Sequence, residues 1–284
     1  MGSLPLLKTR YRHLYDDAPA DEQIYPQNDH FSFGLSWRRF FIDFFGVLAI
    51  LLLVFYFYMI APAPPLRFSL SDPALMYPDM NPYVPSVIVS LLSILLPIAV
   101  VLLFNIFISW NKYDIYSGLY GAILAYCMAL LLTTTLWGFL GGLRPHFLAK
   151  CDPDPVLAAT QGYYKTIDIC RNKGAFTQDT YHGFPSGHAS TGFAGCTFVS
   201  SYFAAHFMMY RNGNALKVFF FLLPFVCACW LSLCRIVDYH HSSMQVFVGI
   251  VIGIISGLFG YKMAYVNGFV FGYGRWAHIP LSRY

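Results

Sequence analysis

The sequence predicts an all-α protein, a bundle of six transmembrane helices, and three observations lead there. The first is composition: the 284 residues are 57% hydrophobic and 11% charged, with a single Glu at position 22. A soluble domain carries about 25% charged residues, so this chain cannot coat a water-facing surface. The second is segmentation into six apolar runs, at 40–61, 86–110, 115–139, 189–210, 217–235 and 244–266. Each reaches or nearly reaches the ~20 residues that cross a bilayer as a helix. The third is charge: a net +4, dispersed along the chain, which argues against a nucleic-acid partner.

The elements follow in order. Residues 1–36 are polar and mixed and read as a disordered cytoplasmic tail. Trp37-Arg38-Arg39 forms an interfacial anchor that opens a membrane domain of residues 37–267. Asp43 is expected to pair with Arg39, one helical turn earlier. Pro97 and Pro224 fall inside the second and fifth runs and are expected to kink them. The fifth run is the weakest of the six, because it ends at Arg235. The fourth run opens on a small-residue face of Ala189, Gly192 and Gly195, and its His206 reads as a packed residue. Gly249, Gly253 and Gly257 recur every fourth residue in the sixth run and form a ridge suited to close helix packing. Residues 268–284 read as a second cytoplasmic tail.

Cation counting sets the orientation. With the N-terminus inside, the cytoplasmic segments hold eleven of the 18 Lys and Arg and the opposite face seven. A multi-pass protein of an endomembrane or the plasma membrane is therefore expected, with both termini cytoplasmic. Loops 140–188 and 236–243 then share the other face. Cys151 and Cys170 both lie there, in an oxidising environment, and are expected to form a disulfide. Cys127, Cys196, Cys227, Cys229 and Cys234 lie in apolar runs and read as inert packing residues.

The chemistry-bearing residues concentrate on that same face. Pro185-Ser186-Gly187-His188 stands where the long polar loop meets the fourth run. A Gly-containing turn opening a helix makes an anion cradle, and the histidine can pass a proton near neutral pH. Gly141-Gly142-Leu143-Arg144-Pro145-His146 follows the third run, and Cys234-Arg235-Ile236-Val237-Asp238-Tyr239-His240-His241 leads into the sixth. Arg144 and Arg235 can hold phosphate oxygens. Two imidazoles allow one to attack phosphorus while the other protonates the leaving alkoxide. No metal or other cofactor is required, because the cations do that work. His146 and His182 flank these segments and read as lining the site entrance or, by a slight preference, as solvated loop residues; Asp238 reads as facing solvent or a loop cation.

The order and spacing of these segments resemble the type 2 phosphatidic acid phosphatase superfamily, which also includes vanadium haloperoxidases. Within it the chain looks most like the eukaryotic lipid phosphate phosphatases, including the fungal diacylglycerol pyrophosphate phosphatases. The likeness covers about residues 40–266 and three motifs: Lys-x6-Arg-Pro, Pro-Ser-Gly-His and Ser-Arg-x5-His-x3-Asp. The resemblance implies an active site at the non-cytoplasmic ends of helices 3–6. It puts Arg144, Ser186, Gly187 and Arg235 on phosphate, with His188 as general acid and His241 as nucleophile. The motifs are degenerate at three positions. Trp137 stands where the family has Lys, Cys234 where it has Ser, and Gln245 where it has the Asp that holds the nucleophile's imidazole.

Three functions are compatible with this reading. One is a metal-independent membrane phosphatase acting on phosphatidate, lysophosphatidate, diacylglycerol pyrophosphate or an isoprenoid phosphate. A second is a remodelled member, in which Trp137 and Gln245 adapt the pocket to bind or convert another amphiphilic or allylic diphosphate. The third is a membrane scaffold that kept only the fold.

Overall fold

The structure is a computed structural model, and it describes residues 33–61, 66–109, 112–158, 162–165, 169–172, 182–207, 213–266 and 279–280. Most of the two expected tails lies outside the described residues. Long helices dominate: α1 is Phe33–Phe55, α2 Ser86–Phe104, α3 Lys112–Phe139, α4 Gly187–His206, α5 Ala215–Val237 and α6 Ser243–Ala264. α1 and α2 each run on into one π-helical turn, Tyr56–Ile60 and Asn105–Ser109. Because α1 starts at Phe33, the Trp37-Arg38-Arg39 anchor lies within the helix rather than ahead of it. Arg39 meets Asp43 at 3.5 Å across one turn, and the Tyr116 hydroxyl donates to Asp43 at 2.8 Å.

Among the described residues, five segments are long and apolar enough to cross a membrane: Trp37–Ile60, Ser86–Ile108, Asp114–Phe139, Ala215–Val237 and Ser243–Ala264. The fifth run is therefore not the weak one, since α5 continues two residues past Arg235 and qualifies. The helix that falls short is α4. It has 20 residues, about 30 Å at 1.5 Å per residue, but it is built largely from Gly, Ala, Ser and Thr. The reason is its place in the bundle. α4 is buried along almost its whole length, between α6, α5, α2 and α3, so small side chains that admit close neighbours replace a lipid-compatible surface.

The glycine ridge of α6 faces α4. A Cβ at Gly249, Gly253 or Gly257 would lie 2.5–2.6 Å from the backbone oxygens of Ser186, Ser190 and Ala194 in turn. Pro97 of α2 packs on the other side of α4, where a Cβ at Gly195 would meet its ring at 2.8 Å. At the end of the bundle remote from the polar loop, Asp114 is buried. It accepts hydrogen bonds from Tyr202 Oη at 2.6 Å, Asn105 Nδ2 at 2.7 Å and Tyr265 Oη at 3.0 Å. His206 stands 3.4 Å from the same carboxylate, packed between Phe104 and Tyr202. Of the cysteines read as packing residues, Cys127 and Cys196 are buried, whereas Cys227 and Cys229 lie on the exposed face of α5.

The loops at the other end carry a small core of their own, formed by Phe68, Leu75, Phe147, Cys151, Ile169 and Cys170. Arg67–Ser69 pairs antiparallel with Tyr163–Lys165 above it, and Cys151 is disulfide-bonded to Cys170 within it.

The ridge makes a stability prediction. Gly253→Ala places a methyl 2.5 Å from Ser190 O and 2.6 Å from Phe193 Cβ, an overpacking that costs about 2 kcal/mol. Gly46→Ala, inside α1 with nothing within 4 Å of the added carbon, does not destabilise the fold and favours the helix by up to about 1 kcal/mol. Thermal unfolding of the two variants in detergent distinguishes them.

Candidate active site

The Pro185–His188 turn is built as a helix start. Ser186 is the N-cap of α4: its Oγ accepts from Ala189 N at 3.4 Å, while its own N–H donates to Gln245 O at 2.9 Å. The turn that reads as an anion cradle is thus also the cap of α4. Ser190 and Thr191 donate back to Gly187 O at 3.0 and 2.9 Å, and Thr133 of α3 bonds Ser190 Oγ at 2.8 Å. Glycines let the preceding segment approach closely: Gly183 N donates to Gly142 O at 2.9 Å, and a Cβ at Gly142 would lie 2.6 Å from Phe184 Cβ. The first and second motif segments therefore lie backbone against backbone.

His241 arrives from the other side. The chain leaves α5 through a tight turn in which Tyr239 adopts a left-handed φ of 56°, and His241 N donates to Arg235 O at 3.0 Å. The His241 ring is buried, with its centroid 6.3 Å from that of His188. Its Nδ1 lies 2.9 Å from Gly183 O. A carbonyl oxygen only accepts, so Nδ1 carries the hydrogen and Nε2 keeps its lone pair. Gln245 Oε1, at 3.2 Å, is a second acceptor for the same proton. Burial pushes the imidazole well below its ordinary range, and the charges of Arg144 and His188 push the same way, against the hydrogen bonds to Gly183 and Gln245.

Arg235 is fully buried. Its Nη2 donates to Val84 O at 2.6 Å and meets Asp238 Oδ2 at 2.8 Å. Among the described residues its Nε and Nη1 have no hydrogen-bond partner. One end of the guanidinium is fixed and two donor nitrogens remain for an anion. Of the two readings of Asp238, the one that faces it to a cation holds: it is fully buried, pairs with Arg235, and accepts from His240 Nδ1 at 3.1 Å. Arg144 is also buried, close enough to His241 to shift its titration.

His146 and His182 are not solvated loop residues; they are 1% and 7% exposed. His146 Nδ1 donates to Tyr239 O at 2.8 Å and ties the first segment to the His241 turn. Burial lowers its pKa, opposed by that bond and aided by Lys150, His240 and Arg144. His182 stacks face to face on Trp137, with centroids 4.4 Å apart and planes within 6°. Trp137, in place of a Lys, donates from Nε1 to Pro185 O at 2.9 Å, and its ring edge lies 3.0 Å from where a Gly187 Cβ would be. The structure thus gathers Arg144, Ser186, Gly187, His188, Arg235 and His241 at one end of the bundle, with Trp137 and Gln245 among them. Cys234, half-buried on α5, stands next to Arg235 in the chain.

Sequence reasoning missed the roles of Val84, Gly183 and Leu143, which act through carbonyl oxygens that no side-chain pattern reveals. The pairing of Asp238 with Arg235 was open to detection, since the two are three residues apart at a helix end.

Residues 118–269 match the family model described as the PAP2 superfamily. The chain belongs to the PAP2 superfamily. It is 31% identical over 213 residues to lipid phosphate phosphatase 1 of Arabidopsis thaliana, covering 74% of this chain and 63% of that one. To the probable diacylglycerol pyrophosphate phosphatase 1 of Schizosaccharomyces pombe it is 29% identical over 238 residues, 82% of this chain and 81% of that one. A PA-phosphatase related-family protein of Dictyostelium discoideum is 28% identical over 224 residues, 75% of this chain and 65% of that one. The chain thus covers just under two thirds of the length of the Arabidopsis and Dictyostelium relatives. No solved structure matches. PAP2 membership and five apolar helices make this a multi-pass membrane protein.

In this PAP2 chain Arg235 and Asp238 form a buried pair, so removal of one partner strands the other charge. Asp238→Ala is expected to destabilise the fold by about 3 kcal/mol, read as a lower unfolding temperature in detergent, whereas Asp79→Ala, at an exposed pair with Lys150, changes it by less than about 1 kcal/mol.

Proposed function

We propose that the protein is an integral membrane phosphatase that hydrolyses lipid phosphates, such as phosphatidate, diacylglycerol pyrophosphate or an isoprenoid phosphate, through a phosphohistidine on His241 and without a metal. The observation that carries this reading is the tautomer of His241: Nδ1–H is held by Gly183 O at 2.9 Å, which leaves Nε2 as a buried nucleophile beside His188 and Arg144. Family membership and the names of the relatives support the substrate class.

The steps follow from the geometry. The phosphate oxygens lie against Arg144, the open Nε and Nη1 of Arg235, and the amides at the start of α4. His241 Nε2 attacks phosphorus as the bond to the lipid oxygen breaks, and His188 gives its proton to that oxygen. Water then attacks the phosphohistidine, His188 takes its proton, and inorganic phosphate leaves as His241 is regenerated. The site sits on the non-cytoplasmic face, with both termini cytoplasmic and α4 crossing as a sixth span. The distribution of Lys and Arg supports that placement, and cysteine labelling of loop 140–188 from the cytosol would reverse it. The remodelled-pocket reading rests on an aromatic face offered to a ligand, and it is disfavoured because His182 covers that face of Trp137 at 4.4 Å.

Purified protein is expected to release phosphate from a panel of lipid phosphates in the presence of a magnesium chelator. His241→Ala should abolish release, and His188→Ala should slow it by about 10²–10⁴-fold. Release that survives His241→Ala unchanged would overturn the mechanism.

A further inference from the structure

Gln245 touches all three motif segments at once. Its Nε2 donates to Leu143 O at 3.0 Å, the peptide that leads into Arg144. Its backbone oxygen accepts from Ser186 N at 2.9 Å. Its Oε1 accepts from His241 Nδ1 at 3.2 Å and from Ser242 N at 3.0 Å, completing a capping box with Ser242 at the start of α6. The side chain is 8% exposed.

We infer that Gln245 is a positioning residue that joins the Arg144, Ser186 and His241 segments and holds the His241 imidazole with a neutral acceptor. This rests on the phosphatase reading of the same site. The argument turns on what an amide can do that a carboxylate cannot. A carboxylate only accepts hydrogen bonds; at this position it would face the Leu143 carbonyl oxygen with its own, and the link to the Arg144 segment would be lost. An Asp side chain is also one methylene shorter. Gln245 is therefore a different joint from the Asp of the family motif, one that spans from the His241 ring to the first segment.

The second consequence is electrostatic. His241 Nδ1–H is shared between Gly183 O and Gln245 Oε1, both neutral. The charged and titratable groups that face the ring are Arg144, from the segment after α3, and His188, from α4; Arg235 and Asp238 stand at the start of its own turn, paired with each other. With no carboxylate against the ring, only two neutral acceptors on the Nδ1 side favour an imidazolium, against burial and the charges of Arg144 and His188, and Nε2 stays available in acid. A Glu at 245 keeps the reach, supplies the charge and loses the Leu143 link.

The test is a pH series on wild type, Gln245→Glu and Gln245→Met, with two readouts. The first is kcat/KM for lipid phosphate hydrolysis. The second needs no turnover: the ¹⁵N-histidine spectrum in detergent, with the residue-241 signal assigned by its loss in His241→Ala. Wild type is expected to keep the Nδ1–H neutral tautomer below the ordinary imidazole range. Gln245→Glu should raise the titration midpoint and the acid limb of kcat/KM by a unit or more, about the effect of a carboxylate placed beside a histidine. Gln245→Met, similar in volume but without hydrogen bonds, should lower kcat/KM by about tenfold or more with no upward shift of the midpoint. Unshifted midpoints in a folded Gln245→Glu protein, or full activity in Gln245→Met, overturn the inference. A shifted midpoint in a protein that releases no phosphate would instead retain the inference and remove the phosphatase reading.

Discussion

Two helix backbones meet where Gly249, Gly253 and Gly257 of α6 face the carbonyl oxygens of Ser186, Ser190 and Ala194, and the placing of the Ser186–His188 turn against the His241 turn depends on that approach. The topmost contact is with Ser186 itself. The separation of α4 and α6 therefore sets the distance between the Ser186–His188 turn and the His241 turn, and the hydrogen bond from Ser186 N to Gln245 O at 2.9 Å repeats the tie one layer up. In a bilayer, close packing of this kind supplies much of the attraction between helices, because lipid tails are as apolar as the side chains. The same contact that stabilises the bundle fixes the 6.3 Å spacing of the two imidazoles.

The two ends of the bundle are each closed by a buried carboxylate, in different ways. Asp114 is held by neutral donors from three other elements, Asn105, Tyr202 and Tyr265, with His206 beside it. Asp238 is held by a cation on its own helix and by His240. Burying a carboxylate is unfavourable unless its oxygens are satisfied. At the remote end the satisfaction is spent on joining α2, α3, α4 and the end of α6. At the site end it immobilises one nitrogen of Arg235, while Nε and Nη1 stay buried and, among the described residues, without a hydrogen-bond partner. One end is a brace, and the other orients a functional group.

Much of this was legible in the sequence, and the misses share a cause. Apolar run length located α1, α2, α3, α5 and α6, and residue spacing gave the glycine ridge and the Arg39–Asp43 pair, because each is a local property of one helix. The same hydropathy reading ranked α5 lowest and counted the run of α4 with the others despite its small-residue face, because a helix surrounded by other helices does not need lipid-facing side chains. His146 and His182 leaned toward solvent because loop polarity is read locally, whereas burial depends on what the tertiary fold lays over the loop. Val84, Gly183 and Leu143 contribute only carbonyl oxygens, which any residue type possesses. A composition-based reading therefore finds the side chains of such a site and misses the backbone that aims them.

The two most visible departures from the family motifs make sense as a pair. Lys to Trp137 removes a positive charge and Asp to Gln245 removes a negative one, so the net charge around the proposed phosphate position is unchanged. Each replacement also keeps a hydrogen bond. Trp137 Nε1 donates to Pro185 O at 2.9 Å, and Gln245 Oε1 accepts from His241 Nδ1 at 3.2 Å. Losing the Lys alone would leave a buried Asp with less positive charge around it; losing the Asp alone would leave an excess of cation around two imidazoles, at a desolvation cost that rises steeply with burial. Losing both preserves the balance and converts two charged contacts into neutral, directional ones. The Arg144 and Arg235 guanidiniums are retained, so the proposed phosphate clamp is kept while the groups that hold the turn and the imidazole in place are neutral.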